Sequence, residues 1–145
     1  MFRLARAIDM REPVVLVVDD SADDFQTVCM AATHACVTMP ITNAINADIA
    51  LAMLDQAADG AFAFMLLDFN LPGVDGLTFL RQVRQHPVHA RLPVVVLTAS
   101  VNPRDRDAFL AAGADAFHVK TVRLEDCLIT LAAIFARWPG MATVS

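Results

Sequence analysis

Short apolar runs alternate along this chain with longer stretches whose apolar residues recur at helical spacing, and several of the runs end on a charged or hydroxyl side chain. Val14 to Val18, following Pro13, is continuous and rich in β-branched residues, the pattern of a central strand covered on both faces. Ile41-Thr-Asn, after Pro40, predicts a short second strand. Phe62 to Leu67 predicts a third, Leu92 to Leu97 a fourth, and Ala114 to Val119 a short fifth. Between them lie helix signals. Ser21-Ala-Asp-Asp is a capping-box-like start for a helix through about Ala35, with acids in its positive first turn. Asn46 caps a helix carrying Ile49, Ala50, Met53 and Leu54, and Gly60 ends that segment. Asp75-Gly76 opens a helix bearing Leu77, Leu80 and Val83, and Pro103 starts a fourth with Phe109, Leu110 and a Gly113 stop. Leu124, Cys127, Leu128, Leu131, Ile134, Phe135 and Trp138 line one stripe of a last helix.

Strand and helix thus alternate five times without hairpin turns, which predicts crossovers and a doubly wound α/β domain with a parallel sheet. Such sheets bind ligands beyond the carboxyl ends of their strands. Asp19-Asp20, Asp68, Thr98 and Lys120 all stand at those ends. Clustered carboxylates repel one another at neutral pH and need a cation. Magnesium suits them, because it prefers oxygen ligands and bridges carboxylate to phosphate. Asp20 and Asp68 are the expected direct ligands, with Asp19 acting directly or through water. An ionised Asp68 can attack phosphorus in line. The metal and Lys120 would then neutralise the equatorial oxygens while Thr98 donates a hydrogen bond.

Composition narrows the picture. One domain is expected from 145 residues, with boundaries at 1–12 (extension), 13–138 (domain) and 139–145 (tail). A net charge of -5 argues against non-specific nucleic-acid binding. No apolar stretch reaches the roughly 20 residues of a membrane span, and the start lacks a signal-peptide core. Cys29, Cys36 and Cys127 are odd in number without paired spacing, so reduced thiols and a cytoplasmic location are expected. With 57% hydrophobic residues the chain is apolar for its size, which allows an exposed pairing face.

Val-Val-Asp19-Asp20-Ser, Leu-Leu-Asp68-Phe-Asn70-Leu-Pro72-Gly73-Val-Asp-Gly76, Val-Val-Leu-Thr98-Ala99-Ser100 and Lys120 together resemble the motifs of response-regulator (CheY-like) receiver domains. The intervals of 30 residues from Asp68 to Thr98 and 22 from Thr98 to Lys120 also suit them. The resemblance covers about Val14 to Trp138. It implies a five-stranded flavodoxin-like (βα)5 fold with strand order 2-1-3-4-5, dependence on Mg2+, and phosphotransfer to Asp68 from a sensor histidine kinase or histidine phosphotransfer protein. It further implies that Asn70 offers its backbone carbonyl to the metal, Ala99 its backbone N–H to the phosphate, and Phe117 the switch ring. Two positions depart from the pattern. Thr121 replaces the usual proline after the lysine, so a trans and looser turn is expected there, and Phe117 has no hydroxyl. Asp-Ser-Ala-Asp-Asp, Leu-Thr-Ala-Ser, Lys-Thr-Val-Arg-Leu and the closing Phe-Ala-Arg-Trp further resemble the single-domain regulators that partner bacterial phytochromes, which implies a light-driven kinase.

The expected function is therefore a signalling phosphoacceptor rather than an enzyme, with at most slow loss of its own phosphoryl group. Only seven residues follow Trp138, too few for a DNA-binding domain, so output is expected through a partner protein, dimerisation or relay to another histidine. Ile129, Ala132, Ala133 and Ala136 leave the last helix apolar on its second side, which suggests a homodimer through the fourth helix, fifth strand and last helix. An aspartyl-phosphate phosphatase is the alternative, but it needs a second acid where Asn70 stands. A flavin carrier would need a phosphate loop free of the acids that follow Val18. Among smaller signals, His86 and His89 are expected in a solvated loop, because Pro87 breaks the helix that would align them. His118 is expected half-buried, Arg104 to Asp107 on a solvated helix face, and Met53, Met65 and the phenylalanines in the core.

Overall fold

The computed structural model describes residues 13–68, 75–99, 102–121 and 123–138. Strands β1 (Val14–Val18), β2 (Ile41–Ala44), β3 (Phe62–Asp68), β4 (Val94–Thr98) and β5 (Ala116–Val119) form one sheet in the order β2-β1-β3-β4-β5. Every pairing is parallel. The intervening helices are α1 (Ala22–His34), α2 (Ala47–Gln56), α3 (Gly76–Arg84), α4 (Pro103–Ala111) and α5 (Leu124–Arg137). This is the doubly wound, flavodoxin-like order expected from the sequence.

The three central strands, β1, β3 and β4, are largely buried on both sides, and their two-residue period divides the core in two. Leu16, Val18, Met65, Leu67, Val94 and Val96 face Ala50 and Leu54 of α2, Phe79, Leu80 and Val83 of α3, and Phe109 of α4. Val15, Val17, Phe64, Leu66 and Val95 face Val28, Ala31 and Ala32 of α1 and Leu131, Ile134 and Phe135 of α5. Side-chain caps start four of the helices. Ser21 accepts from Asp24 N, Asn46 from Ile49 N, Asp75 from Thr78 N and Asn102 from Arg104 N. Helix α5 has no side-chain cap bond.

Three expectations need correction. β4 and β5 begin two residues later than their apolar runs, because the Asp115 carboxylate takes the Val94 N–H at 2.8 Å and closes the edge there. The Arg84 guanidinium reinforces this join. It donates to the carbonyls of Ala90, Leu92 and Gly113 and reaches Asp115 at 3.0 Å. Gly113, at φ +109°, leaves room for it, since a Cβ there would lie 2.9 Å from Arg84 Nε. The side chains of His86 and His89 are packed rather than solvated, while Pro87 and Val88 between them are exposed. Pro87 turns the chain so that His86 Nδ1 accepts from Val88 N and His89 N, which leaves Nε2–H to donate to Asp55 at 2.9 Å. His89 is buried, with its Nε2 3.0 Å from the Ala57 carbonyl and its ring 6.0 Å from that of Phe62. Finally, Leu124 is half-exposed and lies outside the buried stripe of α5, which runs through Leu131, Ile134 and Phe135.

Candidate functional site

Strand register brings the polar run-ends together. Val18 pairs with Ala44 on one side and Leu67 on the other, Asp68 with Leu97, and Thr98 with Val119. The residues at or just beyond these levels share the carboxyl rim of the central strands. Carboxylate oxygens of Asp19, Asp20 and Asp68 lie within 4.8 Å of one another. Asp19 is buried, Asp20 is exposed and Asp68 is partly buried. Lys120 sends its Nζ into the same space, 2.9 Å from Asp24 Oδ2, 3.5 Å from Asp19 Oδ2 and 3.6 Å from Asp68 Oδ1. Its backbone N–H donates to the Thr98 carbonyl at 2.6 Å, which ties the end of β5 to the end of β4. Thr98 is buried at that end and Ala99 is exposed beyond it.

Each group is held by its element. Asp19 donates its N–H to the Ala44 carbonyl, and its Oδ1 accepts from Ser21 N at 2.9 Å. Asn43 clamps the same bend, donating from Nδ2 to the carbonyls of Val17 and Asp19. The Lys120–Thr121 bond is trans, as expected without proline. Cys127 ties this turn down: its thiol donates to the Thr121 carbonyl at 3.1 Å, and its sulfur lies 3.3 Å from Thr121 Oγ1. Phe117, on β5, is partly buried with its ring 6.0 Å from that of Phe109. Asn70 lies outside the described residues. An open groove of about 240 Å³ runs from Lys120 and Asp24 between α1 and α5, past Thr27, Cys127 and Leu131.

The electrostatics register the crowding. Burial, first, pushes the Asp19 carboxyl up to about 6, and the neighbouring charges of Asp68 and Asp24 add to it. The Ser21 N–H and the Lys120 ammonium oppose that rise. Burial alone would pull Lys120 down, yet the hydrogen bond to Asp24 and the charges of Asp19, Asp68 and Asp24 leave it raised and firmly protonated. His118 is partly buried, and burial lowers its imidazole from the usual value. A site with more carboxylate than cation, sunk far enough that one carboxyl is driven toward neutrality, has the donor chemistry of a divalent oxygen-loving ion. Sequence reasoning brought together Asp19, Asp20, Asp68, Thr98 and Lys120. It missed Asn43 and gave Asp24 only a capping role.

The carboxyl rim of a doubly wound parallel sheet thus gathers three aspartates, a lysine and a threonine. Residues 15–132 match the response regulator receiver domain, and the chain belongs to that family. Response regulator ArlR of Staphylococcus epidermidis is 30% identical over 125 residues, covering 86% of this chain and 53% of that protein. The chain thus spans about half the length of that relative. The Mn(2+)-bound form of response regulator Rcp1 is similar in structure, with TM-score 0.78, 29% identity, and coverage of 87% of this chain and 94% of that one. The phosphorylated cyanobacterial phytochrome response regulator RcpA aligns with TM-score 0.80 and 25% identity, covering 88% and 94%.

Proposed function

We propose that this chain is the phosphoacceptor of a two-component pathway, taking a phosphoryl group on Asp68 from a histidine kinase or histidine phosphotransfer protein. The observation that carries this reading is the meeting of Asp19, Asp20 and Asp68 within 4.8 Å, with Lys120 Nζ 3.6 Å from Asp68 Oδ1. An Asp68 carboxylate oxygen forms the new bond to phosphorus as the bond from phosphorus to the donor histidine nitrogen breaks. That nitrogen departs with its electron pair and is protonated. Lys120 balances charge on the transferred group, the Thr98 hydroxyl and the Ala99 N–H donate to it, and Phe117 follows Thr98 inward as the switch ring. Asp19, Asp20, Asp68 and the Asn70 carbonyl would hold Mg2+, which supplies neutralising charge when bound.

The functional unit spans residues 13–138, flanked by 1–12 and 139–145, and acts stoichiometrically in the cytoplasm. Helix α1 and the turn after Lys120 flank Asp68 and form the face that meets the kinase. Likeness to RcpA, a cyanobacterial phytochrome response regulator, supports a light-driven kinase as the donor. Incubation with acetyl phosphate and magnesium is expected to add one phosphoryl group by intact mass, labile to hydroxylamine and blocked by chelation. No adduct from either acetyl phosphate or a phosphorylated kinase would refute the reading.

Output runs through pairing of α4, β5 and α5 with a second copy. Leu110 on α4 and Ile129 on α5 are 38% and 68% exposed, apolar positions that a second copy would cover and that support this pairing. Sedimentation at tens of micromolar should give a dimer that Ile129→Asp converts to monomer. A wild-type monomer, with and without a phosphoryl mimic, would remove this part of the proposal.

A further inference from the structure

The shortest contact of the Lys120 ammonium is to none of the rim aspartates. It is to Asp24, on the first turn of α1, at 2.9 Å, while Asp68 stands at 3.6 Å and Asp19 at 3.5 Å. We propose that Asp24 is a latch for Lys120, holding the ammonium off Asp68 until a phosphoryl group draws it away. The idea rests on the phosphoacceptor reading above and assigns Asp24 as a positioning residue acting through Lys120.

The local structure explains why Asp24 is free to do this. Ser21 is the N-cap of α1, so Asp24 occupies the position from which an acid normally reaches back to the cap's own N–H. That N–H is already taken by Asp19 Oδ1 at 2.9 Å. Only half of a capping box therefore forms. Ser21 Oγ accepts from Asp24 N, and the Asp24 carboxylate turns across to β5. Helix α1 is fixed by Val28, Ala31 and Ala32 in the core, so the carboxylate is presented from a rigid base.

Charge then decides which partner Lys120 keeps. Before transfer, Asp24 and Asp68 each offer one negative charge, and the shorter contact wins. After transfer, the group on Asp68 carries nearly twice the charge and three strong acceptor oxygens. Asp24 is 46% exposed, so water readily replaces the ammonium when the latch opens. The resting pair with Asp24 must be given up on phosphorylation, and it opposes the phosphorylated state.

The test is the affinity of the full chain for beryllofluoride, a phosphoryl mimic, at saturating magnesium, followed by 19F NMR. Asp24→Asn should bind it about three- to fivefold more tightly, the size expected for a released, water-exposed ion pair. Asp24→Glu, which can restore the pair, should return toward wild type. Asp23→Asn removes the same charge from the same helical turn without touching Lys120, and should leave the affinity unchanged. Unchanged or weaker binding in Asp24→Asn overturns the latch, as does equal tightening in Asp23→Asn. A wild-type chain that binds no beryllofluoride overturns the phosphoacceptor reading and the latch with it, whereas wild-type binding with an indifferent Asp24→Asn overturns the latch alone.

Discussion

Asp68→Asn is expected to reduce phosphoryl uptake from acetyl phosphate to background while leaving the fold intact. The amide has the shape of the carboxylate but no charged oxygen to attack phosphorus, and loss of a covalent nucleophile costs on the order of a millionfold in rate. Folding should not suffer. The Asp68 side chain is 12% exposed, and its charge is one of those that raise the Asp19 carboxyl. Neutralising it relieves a repulsion and draws Asp19 back toward the ordinary carboxylate range. Thermal unfolding of the metal-free variant should therefore match wild type or exceed it. An adduct of undiminished yield in Asp68→Asn would move the nucleophile to another residue. A lost adduct with a collapsed fold would mean that the charge had been structural.

How much of this was legible beforehand depends on how far each residue acts from its own place in sequence. Asp19, Asp68, Thr98 and Lys120 are readable because each ends an apolar run, and a parallel sheet collects such ends on one rim. The caps Ser21, Asn46 and Asp75 are readable for a similar reason, since each bonds within three residues of itself. The bonds of Arg84 to Gly113 and Asp115, of His86 to Asp55 and of His89 to Ala57 span about thirty residues and carry no local signature. A histidine beside a proline reads as loop unless the helix that will cover it is known. Asp24 misleads in a subtler way. Its spacing from Ser21 announces a cap, and only the occupation of the Ser21 N–H by Asp19 frees it for Lys120, 96 residues away.

Lys120→Ala should destabilise the metal-free protein more at pH 8 than at pH 5. The folded Asp19 carboxyl lies at about 6, above its value of about 4 in an unfolded chain, so between these pH values the folded state holds the extra proton. Stability contributed by Asp19 therefore falls as pH rises through this window, and the full penalty stands above pH 6. The Lys120 ammonium is raised too, so its contribution also falls with rising pH, but in a far more alkaline window. Its contribution is present throughout the neutral range and disappears only as pH climbs past the ordinary lysine value. Removing it leaves Asp19, Asp24 and Asp68 without their shared cation and drives Asp19 higher still. At pH 5 Asp19 is largely neutral and the loss is limited to the pairs with Asp24 and Asp68. At pH 8 a buried carboxylate is left uncompensated. Such losses reach about 3–5 kcal/mol for fully buried pairs, and the partial exposure of Lys120 argues for about 2 kcal/mol here. Urea midpoints at the two pH values measure the difference, and magnesium at pH 8 should narrow it by supplying the missing charge. Asp19→Asn in the same background should flatten the pH dependence. An equal loss at both pH values would show that Lys120 holds the fold through packing of its aliphatic stem rather than through charge.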